Sequence, residues 1–224
     1  MNITFNYFLV SLISFVLGSI PFALIYVKIL LKRDMRQFGS KNTGALNTLR
    51  IVSHDKGKTW GIISFFIVFL LDALKGVLAI IIAQAIIPDF IIAITIGIFF
   101  AILGHNYSLF LKFKGGRGAA TLGGILFYLN PIIFFTSLVI ILCFMFLLEI
   151  LMGGRVSKKF VKNAVSDQII GRVIGELFII YWISIYNPTL LLPISLGVIL
   201  VVIAHKDRII NQINKMKDKT YFNV

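Results

Sequence analysis

The residue types best suited to binding a phosphate collect in residues 39–50, which read GSKNTGALNTLR. Glycines let backbone N–H groups turn toward an anion, serine and asparagine add neutral donors, and an arginine can hold two phosphate oxygens at once. The candidate ligands are the neutral donors Ser40, Asn42, Thr43 and Asn47, together with Gly39, Gly44 and Arg50. A plain connector of turn residues is the simpler alternative, but it has no use for an arginine after four neutral donors. The stretch therefore predicts a phosphate site.

A second stretch of this kind lies at residues 114–118, which read KGGRG. An ordinary basic membrane anchor accounts for Lys114 and Arg117. It does not account for glycines such as Gly115 and Gly116, which have an entropic cost and no topological use there. The stretch lacks the spacing of a P-loop, so nucleotide binding is not implied. Because a helix is expected to begin just after it, the stretch resembles an anion site at a helix N-terminus.

Four ionisable residues near the apolar runs are further candidates. His105 precedes the second stretch and either orients it or binds a substrate. His205 begins the C-terminal tail, where an imidazole can reach the membrane interface or carry a charge. Both alternatives stay open for each histidine. Asp72 and Lys75 lie three residues apart on one helix face, and we expect them to form a structural ion pair rather than a proton relay.

The sequence has no Ser-His-Asp order, no histidine–aspartate pair of the acyltransferase kind and no cluster of metal ligands. We therefore expect neither a metal nor a cofactor. An enzyme built from these residues has to work mainly by positioning its reactants and by stabilising negative charge.

Composition places the chain in a membrane. Of its residues, 58% are apolar and 14% charged, and the apolar ones form runs long enough to cross a bilayer. The predicted fold class is an all-α membrane protein, a single polytopic domain over residues 1–224. The net charge of +13 does not indicate a nucleic-acid partner, because the lysines and arginines are confined to short loops. The expected partner is the lipid bilayer.

Seven helices are expected to position these residues, with the N-terminus outside and the C-terminus in the cytoplasm. Basic residues assign these segments to the cytoplasm: loops 32–59, 112–120 and 153–172, and the tail 205–224. The external turns are expected at Pro88-Asp89, Asn130-Pro131 and Asn187-Pro188. The first helix is predicted to cover residues 7–31. In the second, the span is expected to begin near Asp72, with residues 59–71 at the interface or entering at a slant.

The polar stretches resemble those of the PlsY-type acyl-phosphate:glycerol-3-phosphate acyltransferases, which are bacterial inner-membrane enzymes. The matching motifs are residues 18–22 (GSIPF), 39–50, 71–76 (LDALKG), 104–107 (GHNY) and 113–121 (FKGGRGAAT). Together they cover most of residues 10–130, and their spacing is too specific for chance. The resemblance implies seven helices with the N-terminus outside, in agreement with the distribution of charge.

The resemblance also implies an activity and a set of site residues. Family members transfer a fatty acyl group from acyl phosphate to the 1-hydroxyl of glycerol 3-phosphate, without acyl-CoA or acyl carrier protein, and release inorganic phosphate. The implied site faces the cytoplasm and forms no covalent acyl-enzyme, and the donor's phosphate is a candidate base. The implied catalytic residues are Ser40, Arg50, Lys114 and His205. The implied substrate-binding residues are Gly39, Asn42, Gly44, Asn47, His105, Gly115, Gly116 and Arg117.

The chain departs from the family pattern at three places, one of which is the loop of residues 153–172, which is longer and more basic than usual. Arg117 stands where the family usually has a second lysine. The tail motif of the family reads His-x-x-Asn-Ile-x-Arg-Leu with a later Gly-Thr-Glu, whereas residues 205–212 read HKDRIINQ. Only His205 and Ile209 match it.

Two alternatives to this activity follow. One is a divergent member of the family that accepts another phosphorylated alcohol or only binds lipid phosphate. The other is a small transporter of phosphate or organic anions. A transporter is expected to carry polar groups at the bilayer midplane on broken helices, whereas the polar stretches here lie at one face of the membrane.

Overall fold

The computed structural model describes residues 3–151 and 169–217, and regular secondary structure in this part is entirely helical. The α-helices are α1 Ile3–Ser19, α2 Phe22–Leu31, α3 Ala45–Lys56, α4 Lys58–Ile86, α5 Phe90–Asn106, α6 Ala119–Leu129, α7 Pro131–Leu151, α8 Ile169–Tyr186, α9 Leu191–Ile203 and α10 Lys206–Lys217. The predicted all-α class is confirmed. Residues 153–168 of the third predicted loop and residues 218–224 of the tail lie outside the described residues.

Five helical stretches in the described ranges are long and apolar enough to cross a membrane. They are Ile3–Leu31, Lys58–Ile86, Phe90–Leu111, Pro131–Leu151 and Ile169–Tyr186. A sixth is a pair bent by 50°, Pro188–Ile203 with Lys206–Asn214, and Ala119–Leu129 is a shorter apolar helix. The helices end at the three predicted external turns. These stretches correspond to the seven predicted helices, while the number of crossings and the orientation of the termini stay predictions.

The first apolar stretch was predicted as one helix, but it breaks between α1 and α2 at Ile20 and Pro21. Proline has no N–H to donate and disfavours helical geometry in the residue before it. Carbonyl groups freed at such a break need new donors inside a membrane. Lys75 Nζ donates to the Ile20 carbonyl at 2.8 Å, and Ser108 Oγ donates to the Ser19 carbonyl at 2.5 Å. The break is therefore stabilised by side chains from α4 and from the segment that follows α5.

Helix α4 runs without interruption from Lys58 through Asp72 to Ile86, and the point along it at which the membrane span begins stays a prediction. Asp72 and Lys75 are both buried, and Lys75 Nζ lies 2.8 Å from Asp72 Oδ1. This contact confirms the predicted ion pair. Because the two charges neutralise each other inside the protein, the helix has no reason to end where they occur.

Residues 39–50 were predicted as a loop, but their second half is the first turn and a half of α3. The amphipathic order of the segment explains the helix. Ala45 and Ile51 pack against α2 and α4, in a cluster that also contains Val27 and Val68, while polar residues face the other way. Asn47 and Arg50 are consequently held on a helix rather than on a flexible connector.

Helices α4 and α6 approach closely where two glycines replace side chains. A Cβ atom at Gly124 would lie 2.6 Å from the backbone of Ala73, and one at Gly76 would lie 2.8 Å from Thr121. Small residues allow such contacts between membrane helices. The contact fixes the N-terminal end of α6 beside the buried Asp72–Lys75 pair.

We expect Gly124→Ala to destabilise the protein by about 1–3 kcal/mol, because the new methyl group forces α4 and α6 apart. The measurement is the thermal unfolding midpoint in detergent, which should fall by several degrees. Gly123→Ala is the matched control, since its Cβ would find its nearest neighbour, Phe134, at an ordinary 3.5 Å. Equal midpoints for the two variants would contradict the close contact.

Candidate active site

A cavity of about 260 Å³ opens where the ends of six helices converge. Its size is near the lower end of the range for small-molecule sites. The polar side chains on its wall belong to Ser40, Asn42, Asn47, Arg50, Asp72, His105, Arg117, Ser137, Arg172, Glu176, His205 and Arg208. The two stretches predicted to bind phosphate therefore meet at one cavity.

Asn47 holds the chain that leads into α3. Its Oδ1 accepts a hydrogen bond from the Ser40 N–H at 2.9 Å, and its Nδ2 donates to the carbonyls of Asn42 and Phe38 at 3.0 and 3.2 Å. Gly39 adopts a φ of 58°, and a Cβ there would collide with Asn47 Oδ1. The amide of Asn47 is therefore engaged with the loop backbone, and its predicted contact with substrate stays a prediction.

Two helix N-termini open onto the cavity. The residues before α3 and α6 are Gly44 and Gly118, and neither helix has a side-chain cap. The cavity wall includes Gly44, Ala45, Leu46, Gly118, Ala119 and Ala120. Unsatisfied N–H groups and the helix dipole make such termini attractive to anions. Helix α6 begins at Ala119, where the sequence predicted it.

Four of the predicted site residues are not on the cavity wall: Gly39, Lys114, Gly115 and Gly116. The N–H of Gly115 donates to the Asn106 carbonyl at 3.0 Å, and that of Gly116 donates to the His105 carbonyl at 2.9 Å. A Cβ at either glycine would collide with the end of α5. Here the glycines allow a close contact, and the side chain of Lys114 is exposed. Their roles toward a substrate stay predictions.

His105 joins three helices beneath the cavity. Its Nδ1 lies 3.2 Å from Thr121 Oγ1 of α6 and 3.7 Å from Asp72 Oδ1 of α4. Its backbone carbonyl accepts the Gly116 N–H, and its ring is in contact range of Gly116. These contacts support an orienting role, and the position of His105 on the cavity wall keeps the binding role open as well.

His205 lies at the bend between α9 and α10, with 1% of its surface exposed. Its Nδ1 is 2.8 Å from the carbonyl oxygen of Val201. A carbonyl can only accept, so Nδ1 carries the proton and Nε2 is left as an acceptor. Because His205 is on the cavity wall, this nitrogen is suited to accept a hydrogen bond from a hydroxyl group.

Arg172 and Arg208 are the site residues that sequence reasoning missed. It assigned them to a basic loop and a basic tail, but both lie on the cavity wall. A weak signal was present: Arg172 and Glu176 are four residues apart in an apolar helix, and Arg208 follows His205 by three residues. Arg172 Nε lies 3.9 Å from Glu176 Oε1.

The arginines on this wall act on one another. Burial first, and then the positive charges of Arg208, Arg172 and Arg50, lower the pKa of Arg117 to about 10. Asp207 opposes the shift. At neutral pH Arg117 still carries its charge, so the polar end of the cavity is strongly cationic.

The remainder of the cavity wall is apolar. Its side chains are Phe65, Phe69, Leu122, Leu126, Phe134, Leu138, Ile141, Ile179, Val198 and Val201. They belong to α4, α6, α7, α8 and α9, and Leu122, Leu126, Ile179, Val198 and Val201 are also part of the main hydrophobic core. The cavity thus has a cationic part and an apolar part in direct continuity, which suits a ligand with a phosphate and a hydrocarbon chain.

Comparison with known proteins identifies the class. The family model for glycerol-3-phosphate acyltransferase matches residues 8–215. The glycerol-3-phosphate acyltransferase of Bacillus subtilis (strain 168) is 32% identical over 211 residues, 94% of this chain and 96% of that protein. That of Staphylococcus carnosus (strain TM300) is 34% identical over 192 residues, 82% and 88% of the two chains. With Pelagibacter ubique (strain HTCC1062) the identity is 44% over 125 residues, which span 60% of that protein.

Two crystal structures of PlsY, an integral membrane glycerol 3-phosphate acyltransferase, share the fold. The glycerol 3-phosphate form gives a TM-score of 0.65 and the lysophosphatidic acid form 0.64, each at 24% identity over 95% of this chain and 92% of that chain. The chain belongs to the glycerol-3-phosphate acyltransferase family. The family predicted from the motifs is confirmed, and with it the class of integral membrane acyltransferases.

We expect Asn47→Ala to loosen residues 38–42, because it removes the hydrogen bonds that hold this loop against α3. Hydrogen exchange of peptides covering the loop should become faster by about tenfold or more, since each lost bond is worth about 1 kcal/mol. Asn42→Ala is the control, because only the backbone carbonyl of Asn42 takes part in this network. Unchanged exchange in Asn47→Ala would contradict its structural role.

Proposed function

We propose that this protein transfers a fatty acyl group from acyl phosphate to the 1-hydroxyl of glycerol 3-phosphate, forming lysophosphatidic acid and inorganic phosphate. The observation that carries the proposal is the meeting of two uncapped helix N-termini with arginines at one cavity that continues into an apolar part. The two reactants are both phosphate anions, and only the donor has a long hydrocarbon chain. The cavity matches this combination.

The N-termini of α3 and α6 each bind one phosphate group. The N-terminus of α3, with Ser40, Asn42 and Arg50, forms the first anion position. The N-terminus of α6, with Arg117, forms the second. A guanidinium adds two parallel charge-assisted hydrogen bonds to those of the backbone N–H groups. Bringing two dianions together is otherwise costly, so much of the catalytic effect comes from offsetting their repulsion.

The reaction needs no nucleophilic side chain. The acyl carbon of an acyl phosphate is already activated, so the acceptor hydroxyl oxygen can attack it directly. The bond from the acyl carbon to the phosphate oxygen then breaks, and phosphate departs with the bonding electrons and takes up the hydroxyl proton. Donors already in place stabilise the oxyanion that forms, and each can contribute about 3 kcal/mol. His205 Nε2 accepts a hydrogen bond from the acceptor hydroxyl and orients it.

The apolar part of the cavity receives the acyl chain of the donor. Its wall of aromatic and aliphatic side chains excludes water from the reacting carbon, which protects the acyl phosphate from hydrolysis. The crystal structures of PlsY in its glycerol 3-phosphate form and in its lysophosphatidic acid form support glycerol 3-phosphate as the acceptor and lysophosphatidic acid as the product for this chain.

The site belongs to the cytoplasmic side of a bacterial inner membrane in this proposal. The polar cavity wall is built from residues next to the basic segments 32–59, 112–120 and 205–217. Such segments stay on the cytoplasmic side during insertion. The chain acts as a single membrane domain with the lipid bilayer as its surroundings. A transporter is less well supported, because the arginines on the cavity wall lie at or near helix N-termini, next to the basic segments, whereas a transporter is expected to carry its polar groups at the bilayer midplane.

Purified wild-type protein should release inorganic phosphate and form lysophosphatidic acid when it receives both reactants. We expect Arg50→Ala to lower kcat/KM by about 10²–10³-fold, since it removes a charged donor from the first anion position. Lys56→Ala is the matched control, because Lys56 lies on the same helix but is exposed and off the cavity wall. The absence of product from the wild type would sink the proposed activity, and full activity of Arg50→Ala would sink the assigned position.

His205→Ala should lower kcat by about 10²-fold, because the acceptor hydroxyl loses the group that orients it and receives its hydrogen bond. The KM values for both reactants should change by less than about threefold. Steady-state kinetics with each reactant varied in turn gives both numbers. A kcat equal to that of the wild type would remove His205 from the catalytic site.

A further inference from the structure

The second anion position requires cations that the family motif does not supply in this structure. The motif points to Lys114 and the backbone of Gly115 and Gly116. The side chain of Lys114 is exposed and off the cavity wall, and both glycine N–H groups donate to carbonyls of α5. Of residues 114–118, the cavity wall contains only Arg117 and Gly118. Arg117 alone, at the N-terminus of α6, supplies one positive charge, which is less than the two negative charges of a phosphate dianion.

Two further guanidinium groups reach this cavity from elsewhere in the fold. Arg172 lies in the first turn of α8, and Arg208 lies in the first turn of α10, one turn beyond His205. Arg208 occupies the position at which the family's tail motif has asparagine. The chain therefore has a charged donor where the motif has a neutral one.

Arg117, Arg172 and Arg208 form a concentration of like charge. All three lie on the cavity wall, and the pKa of Arg117 is lowered first by burial, then by repulsion from Arg208 and Arg172, and least by Arg50, so Arg208 and Arg172 are the arginines that act most strongly on it. Asp207 opposes part of this charge, and two further acidic groups lie on the cavity wall. Asp72 is paired with Lys75, and Glu176 is only loosely placed at 3.9 Å from Arg172. Such a cluster is costly without an anion.

We propose that Arg117, Arg172 and Arg208 together form the second phosphate site, at the N-terminus of α6. This inference rests on the proposed function and deepens it, since it names the groups that hold the second of the two phosphates. Arg172 and Arg208 supply the binding that the altered tail motif lacks. The phosphate belongs either to the donor or to the acceptor, and kinetics distinguishes them.

The first test compares Arg172→Gln and Arg208→Gln with the wild type. Each variant should raise KM by tenfold or more for the same reactant, either acyl phosphate or glycerol 3-phosphate, and leave the other KM within twofold. Lys206→Gln is the control: it removes one positive charge from the same helix as Arg208, but Lys206 is exposed and off the cavity wall. Unchanged KM values in the arginine variants, or an equal rise in Lys206→Gln, would overturn the proposal.

The second test measures binding and does not depend on turnover. Titration calorimetry of the purified protein with inorganic phosphate should show two binding sites in the wild type and in Lys206→Gln, one of which binds at least tenfold more weakly in Arg172→Gln and Arg208→Gln. Glycerol 3-phosphate should show the same weakening if its KM is the one that rises. A wild type that forms no product but shows this pattern would refute the proposed activity and retain the site. Equal binding by all four proteins, or none by the wild type, would refute the site itself.

The lysine variants keep the test decisive if a glutamine variant does not fold. Arg172→Lys and Arg208→Lys retain the charge but lose the paired geometry of the guanidinium. We expect from each a KM rise of about threefold for the same reactant. Wild-type KM values in both folded lysine variants would overturn the proposal.

Discussion

Electrostatic repulsion between two phosphate anions is the constraint on which this structure depends. Two unit charges of the same sign at 4 Å repel by about 4 kcal/mol near a protein surface, and dianions repel more strongly. The fold places positive charge around a single cavity to offset this repulsion. The charge comes from two helix N-termini without side-chain caps and from arginines in four segments of the chain. Because these groups are held before the reactants arrive, the protein does not have to reorganise them during the reaction.

Side chains from other parts of the fold satisfy the backbone carbonyls at the helix break beside the cavity. Lys75 pairs with Asp72 and also donates to the carbonyl of Ile20, where α1 gives way to α2. The Oγ of Ser108 donates a hydrogen bond to the neighbouring carbonyl of Ser19. Inside a membrane an unsatisfied group of this kind is expensive, so these contacts fix the helices relative to one another. The buried ion pair therefore supports the site without contributing to its positive charge.

The glycines of the two motifs turn out to serve different purposes. Gly44 and Gly118 precede helices whose N-termini open onto the cavity, as an anion site requires. Gly115 and Gly116 let the loop approach the end of α5, and their N–H groups are bonded there. Glycine is chosen in both cases for its small size and backbone freedom, so residue type alone cannot separate a ligand-binding backbone from a packed one.

The sequence by itself determined the membrane class, the positions of the apolar helices, the start of α6 and the pairing of Asp72 with Lys75. These features follow from local composition and from the spacing of residues along one helix, both of which can be read directly from the sequence. It took the folded structure to reveal that Lys75 and Ser108 donate to the carbonyls freed at the break beside Pro21, that α3 brings Arg50 to the cavity, and that Arg172 and Arg208 face the same cavity as Arg117. Each of these depends on a partner more than a dozen residues away, or on which side of a helix meets the bundle, and the order of residues does not encode that directly.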